Sequence, residues 1–460
     1  MKKIVQASDV QTAEDAIALI EQRDIQQIKV ATTDMDGVLR GKYINRKKFV
    51  SALQGGLGFC DVIFGWDSSD SLYGQDSVTG WKSAFPDAEG TIDVTTCREL
   101  PLEDNTLLFL LDFEKGSIYK EVDPRTLLKR VITRAEAEGI CFKAAAEFEF
   151  FLFNETPQSV RDKGYSNLEN ITPDMFGYSM IRNSAHADFY HALMDMSREM
   201  DMEIEGIHTE TGPGVLEAAL YYDDLLRAAD KAVLFKTFTK VLAQKNGMMA
   251  TFMAKYSNAY PGQSGHLHMS ATRDGKALFY DERKPHTLSD TMRYFIGGQQ
   301  KLMPELLSMI APTCNAYTRL IPGFWAPTQA TWGVDNRTCA LRAITGSAAA
   351  QRVEYRVTAA DINPYIALAA AIGSGLWGIE HKIEPTEPIV GNAYAETLPE
   401  AFGFPRDLYA AAQRLKDSKA ARELFGDVFV DHYAMTRTHE ADEQLKAITD
   451  WQLHRYFEII

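Results

Sequence analysis

Residues 143–153 read KAAAEFEFFLF. Eight of the eleven are Ala, Phe or Leu, the composition of a buried strand. Two acids, Glu147 and Glu149, interrupt it. Side chains alternate faces along a strand, so both carboxylates point the same way, roughly 6–7 Å apart. Like charges at that spacing repel by about 2–2.5 kcal/mol at an effective dielectric near 20. Burial adds to the cost. Either this strand is a wet edge, or something in the fold neutralises the pair.

The chain has 460 residues, which implies two domains or one large one with an appendage. Its net charge of −15 argues against a nucleic-acid partner, since phosphate binding needs an excess of Lys and Arg. No basic run suggests a membrane surface, and the opening MKKIVQASDV lacks the apolar core of a signal peptide. The most apolar stretch, PYIALAAAIGSGLWGI from Pro364, reads as a buried helix. Five scattered cysteines without a Cys-x-x-Cys fit a reducing, cytoplasmic location.

Along the chain, a helix is expected at Ala13–Arg23, then a hairpin turning at Asp36-Gly37, and a long loop region over Gly55–Trp81. TLLFLLDF, residues 106–113, closes this part as an apolar strand. At Asp123 the pattern changes: DPRTLLKRVITRAEAEG has an N-cap Asp, Pro at the first helical position and a stop at Gly139. The domain boundary is placed just before it, giving units of 1–119 and 120–460. Further helices are expected from Ser184, over Tyr222–Lys245 and from Asn363-Pro364. A strand is expected in HLHMSATRDGKALFY, and the C-terminal part is read as helical.

Neither of the common phosphate cradles, Gly-x-x-x-x-Gly-Lys-Ser/Thr or Gly-x-Gly-x-x-Gly after a strand, occurs. Four clusters carry chemistry instead: Glu147/Glu149; Glu210 and Glu217 around a Gly-Pro-Gly turn; His266, His268 and Ser270 on one strand face; and Arg352, Glu354 and Arg356 on another. Each alone fits a solvated strand face, a surface histidine pair or a salt-bridge ladder. Together, carboxylates with one imidazole suit hard divalent cations, Mg²⁺ or Mn²⁺. Arginines beside them suit an anionic substrate, and the set as a whole suits phosphoryl transfer.

The types and order of these clusters resemble the glutamine synthetase family. AEFEF, ETGPGVLEA, SGHLHMS, YTRLIPGFWAPT, DNRTCALRA and RVEYRVTAADINPYIALAA follow one another as that family's motifs do, over nearly the whole chain. The resemblance implies an α+β fold: a small N-terminal β-grasp-like domain, then a large α/β catalytic domain with a curved antiparallel sheet. It implies ATP-dependent ligation of L-glutamate, through γ-glutamyl phosphate, to an amine. One metal would be held by Glu149, Glu210 and Glu217, and a second by Glu147, His266 and Glu354, with two or three Mg²⁺ or Mn²⁺ per site. His268, Ser270, Arg342 and Arg352 would meet the nucleotide. Gly262, Arg319 and Arg356 would hold glutamate and the transferred phosphate, and Arg337 would stabilise the phosphorylated intermediate. Tyr178 would stand near the amine pocket. The family assembles as homo-oligomeric stacked rings of ten or twelve subunits, and an N-terminal acid such as Asp67 would complete a neighbour's site.

Two motifs depart from the ammonia-using members. Their flap, Pro-Gly-Tyr-Glu-Ala-Pro, is here PGFWAP, with Trp325 in place of the carboxylate. Their N-terminal Asp-Gly-Ser-Ser is here WDSSDS. Both fall in the second-substrate pocket, so the expected acceptor is a primary organic amine, with ammonia as the alternative. Tyr394 lacks the context of the tyrosine that is adenylylated in bacterial members. A non-catalytic relative would have broken metal ligands, and a guanidino kinase would lack the glutamate pocket of Gly262, Arg319 and Arg337; neither is expected.

Overall fold

The computed structural model describes residues 6–75, 77–113 and 117–460. Its N-terminal part is a five-stranded mixed sheet in the order 39–45, 27–33, 107–112, 87–99, 57–60. Helices Ala13–Gln22 and Arg46–Gly55 cover one face. The expected hairpin is present, with Gln27–Thr33 antiparallel to Leu39–Asn45. Its turn needs Gly37: φ is +77°, and a Cβ there would stand 2.8 Å from the Asn363 Cα. That close approach docks the hairpin against the start of the Pro364–Glu380 helix, where Asn363 also donates to the Asp34 carbonyl at 3.1 Å.

Two N-terminal features differ from the sequence expectation. The Gly55–Trp81 stretch is not all loop, because Leu57–Cys60 is an edge strand and Asp61–Phe64 a 3₁₀ turn. Asp87–Glu99, a thirteen-residue strand, was not anticipated. Its acids, its Gly90 and a register shift between Asp93 and Arg98 mask the strand period.

The remaining part is built on a ten-stranded sheet. The path runs 332–334, 341–344, 352–355, 265–273, 141–153, 215–220, 204–209, with three short strands paired beside it. Neighbours on the path are antiparallel except the first pair. This is the curved antiparallel sheet and α+β class expected. KAAAEFEFFLF lies in the middle of it, so the wet-edge reading fails. Phe142, Ala144, Ala146, Phe148 and Phe150 face the buried helical layer, while Lys143, Ala145, Glu147 and Glu149 face the other way. Helices Pro124–Ala137, Leu225–Lys245 and Pro364–Glu380 form that layer. The segment expected as one helix from Ser184 is two, Met180–Ala185 and Ala187–Glu199, which meet at His186.

Buried cations tie the two parts together: Arg437 pairs with Asp36, and Arg98 lies 3.3 Å from Asp201. Arg125 reaches Asp93 at 2.9 Å, Asp112 at 2.7 Å and Asp230 at 2.9 Å. No helix among the described residues is long and apolar enough to cross a membrane.

Candidate active site

Strand register assembles the chemistry. His266 lies directly opposite Glu147, and Glu149 opposite Glu217. Glu217 in turn lies opposite His208, while His268 lies opposite Glu354, which lies opposite Arg342. Opposed residues on one face have Cβ atoms about 4.5–5.5 Å apart. These cross-strand pairs therefore put four carboxylates and three imidazoles over a single stretch of sheet. All of them but His208, together with Glu210, line a cavity of about 530 Å³ with Tyr178, Gly262, Arg319, Trp325, Arg337, Arg342, Arg352 and Arg356.

The short distances form two groups. His266 Nδ1 is 3.4 Å from Glu354 Oε1 and 3.7 Å from Glu147 Oε2, and His268 Nε2 is 3.2 Å from that same Glu147 oxygen. On the other side, His208 Nε2 is 3.3 Å from Glu210 Oε1 and 3.7 Å from Glu217 Oε1. Donor atoms within 4.8 Å of one another form the groups Glu147–His268–Glu354, Glu147–Glu217–His266 and His208–Glu210–Glu217. Glu149 accepts a hydrogen bond from the Ser264 amide, and the donor cluster beside Glu210 and Glu217 is completed by His208. His208 lies outside the motif residues that the sequence singles out. The available signal was its place two residues before Glu210, on the same strand face.

Charge is unbalanced in this cavity. Burial, then Glu149 and Glu147, push the Glu217 carboxyl up to about 9. Glu149 is also raised, by burial, against the opposing Ser264 hydrogen bonds. Burial alone would raise Glu147, but His266 and His268 hold it well below the usual carboxylate range. Glu354 is held down to about 2 despite burial, by His266 and the Arg356 guanidinium. Burial and Arg356 lower His266 to about 4, so its imidazole is neutral and has a lone pair to offer. Surplus ionised oxygens beside a neutral imidazole fit hard divalent cations. The repulsion that raises Glu217 is what such cations would relieve.

The arginines are held in place by the backbone or by acids. Arg319 is buried and donates to the Val357 carbonyl at 2.8 Å and the Arg356 carbonyl at 3.2 Å. Its side chain packs against Gly262, where a Cβ would stand 2.7 Å from both Arg319 Cγ and the Ala254 carbonyl. Arg342 bridges Asp335 and Glu354. Arg352 donates to His268 Nδ1 at 3.2 Å, which leaves Nε2 as the nitrogen turned toward Glu147. Ser270 opens instead into an adjoining cavity of about 600 Å³, which shares Glu147, His268 and Arg352 with the first. Asp67 is not brought to either cavity by its own chain. Its Oδ1 accepts from the amides of Ser69 and Ser71, and its Oδ2 is 3.6 Å from His439.

Residues 121–456 match the family model described as glutamine synthetase, catalytic domain. The chain belongs to the glutamine synthetase family. It is therefore an ATP-dependent carbon–nitrogen ligase. Within that family it is 44% identical over 440 residues to type-1 glutamine synthetase 2 of Dictyostelium discoideum, covering 94% of this chain and 84% of that one. It is 36% identical over 444 residues to the glutamate–isopropylamine ligase of a Pseudomonas species, covering 96% and 97%. Among solved structures, GmaS without ligand superposes with a TM-score of 0.84 at 25% identity, over 96% of this chain and 99% of that one. These relatives thus include both a glutamine synthetase and a glutamate–isopropylamine ligase.

Proposed function

We propose that this protein joins the side-chain carboxylate of L-glutamate to a primary organic amine. The observation that carries the reading is Trp325. It lines a cavity whose carboxylate, imidazole and arginine sets are all present, at the flap position where ammonia-using members carry a glutamate. In this reading the ATP γ-phosphoryl passes to a glutamate carboxylate oxygen and ADP leaves. The amine nitrogen then attacks the acyl carbon, the bond to the phosphate oxygen breaks with its electron pair, and the amine gives up a proton. Phosphorylation is needed because a free carboxylate has no adequate leaving group.

Arg319 and Arg356 would bind the anionic ends of glutamate and of the transferred phosphate, using guanidiniums already held rigid by backbone and carboxylate contacts. Arg337, exposed at the rim, would meet charge that grows on the phosphorylated intermediate. Ser270, Arg352 and Arg342 would meet the nucleotide, with the adjoining cavity taking its bulk. Glu147, Glu217, His266 and Glu354, with Glu149, Glu210 and His208, would hold Mg²⁺ or Mn²⁺. Bound there, these ions would neutralise phosphate charge. Residues 1–119 would act as a separate domain that offers the Asp67 loop to a neighbour in stacked rings.

The test is phosphate release with ATP, Mn²⁺, glutamate and either ammonia or primary amines. A higher kcat/KM for an organic amine supports the reading; ammonia as the best acceptor refutes it. Ammonia is the second reading, favoured by the name of the Dictyostelium relative.

A further inference from the structure

The lining of the cavity bears on which amines fit. Its carboxylates are Glu147, Glu149, Glu210, Glu217 and Glu354. Four of these belong to the cross-strand pairs and Glu210 meets Glu217 at His208, so among the described residues no lining acid stands apart from the charged cluster to meet a second ammonium. The mouth is aromatic instead. Tyr178, Phe324 and Trp325 line it and are 72%, 38% and 59% exposed. Large rings left open at the entrance of a charged cavity are surface that a substrate tail can cover.

Two further observations sharpen this. Trp325 sits at φ +59°, a left-handed conformation that bulky residues rarely adopt, two residues after Gly323 at φ +83°. The flap thus spends backbone energy on holding an indole at the cavity wall. A cation is also fixed at the flap: Lys255 Nζ lies 5.0 Å over the Phe324 ring, on a side chain that is itself buried. No carboxylate partner to this ammonium is found among the described residues. A substrate tail carrying positive charge would meet an aromatic wall backed by a like charge and no compensating acid.

Resting on the function proposed above, we infer that the acceptor is a monoamine with an uncharged apolar tail, alkyl or aryl, and that di- and polyamines are disfavoured. The amine head would enter toward Glu210 and Glu217. The tail would lie between Tyr178 and the Phe324–Trp325 flap. Tyr178 is held in place by its amide, which donates to the Thr209 carbonyl at 2.8 Å, and by its ring, 4.3 Å from that of His208.

The test compares matched acceptors on the full-length assembled enzyme: methylamine to n-butylamine, putrescine, ethanolamine and β-alanine, with ammonia alongside. Burying each methylene is expected to raise kcat/KM about three- to fourfold from methylamine to n-butylamine. n-Butylamine is expected to exceed putrescine, which differs only by a second ammonium, by at least about tenfold. Trp325→Ala should flatten the chain-length series. Trp325→Glu should narrow the gap between putrescine and n-butylamine. Putrescine equal to or better than n-butylamine would overturn the inference while leaving an organic-amine ligase. A preference for β-alanine would overturn it in favour of an anionic tail read by Lys255. Ammonia as the best acceptor would instead overturn the underlying function.

Discussion

Glu217 supplies the most quantitative test of the cation assignment. Its carboxyl is pushed up to about 9, by burial first and then by Glu149, Glu147, Glu210 and Glu354. At pH 7 it is therefore protonated in the metal-free protein, and a divalent cation using its oxygen must expel that proton. The gap of about two units corresponds to about 2.7 kcal/mol, or about a hundredfold in affinity. Mn²⁺ affinity is expected to rise about tenfold per pH unit between 7 and 9, then level off as Glu217 ionises by itself. Calorimetric titration of Mn²⁺ in two buffers of different ionisation heat reads the same quantity directly. It should show about one proton released per subunit at pH 7 and almost none above pH 10. Glu217→Gln should abolish both the release and the slope, while weakening Mn²⁺ binding at pH 9. Unchanged proton release in that variant, or no release in the parent protein at pH 7, would refute the reasoning.

Three other outcomes are expected. Arg125→Met leaves Asp93, Asp112 and Asp230 without their shared cation, and urea denaturation should show a loss of about 3–5 kcal/mol. Gly262→Ala drives a Cβ against Arg319 and the Ala254 carbonyl, so KM for glutamate should rise at least about tenfold with the circular dichroism spectrum unchanged. Burial, then Lys240, lower the Lys236 ammonium to about 7, below its ordinary 10.5, while its Nζ donates to the Ile362 carbonyl at 2.6 Å. The unfolded chain then binds more protons between those values, so stability should rise with pH across 7 to 10.5. The Lys236 share is at most about 1.4 kcal/mol per unit, and Lys236→Met should remove it.

Local rules carried much of this protein from its sequence. The Asp123 N-cap with Pro124 starts a helix where the pattern placed it, with the Thr126 amide donating to Asp123 at 2.9 Å. The period of two placed Glu147 and Glu149 on one face, and the ordered motifs named the family. Each of these depends on residues a few positions apart, which backbone geometry alone relates. Asp87–Glu99 was missed because a bulge and scattered acids break the period that such rules read.

Pairing across the sheet was beyond their reach. Which residue opposes Glu217 is settled by how two whole strands bury their apolar faces, and the answer was His208, 9 positions away across the Gly-Pro-Gly turn. Likewise only the folded chain turned Glu149 to the Ser264 amide, opened Ser270 into a separate cavity and set Lys255 behind the flap. Local patterning is enough to say which groups this protein carries and on which strand face each lies. The tertiary structure alone decided which of them meet, because strand register and loop docking are set by the burial of residues remote from the site.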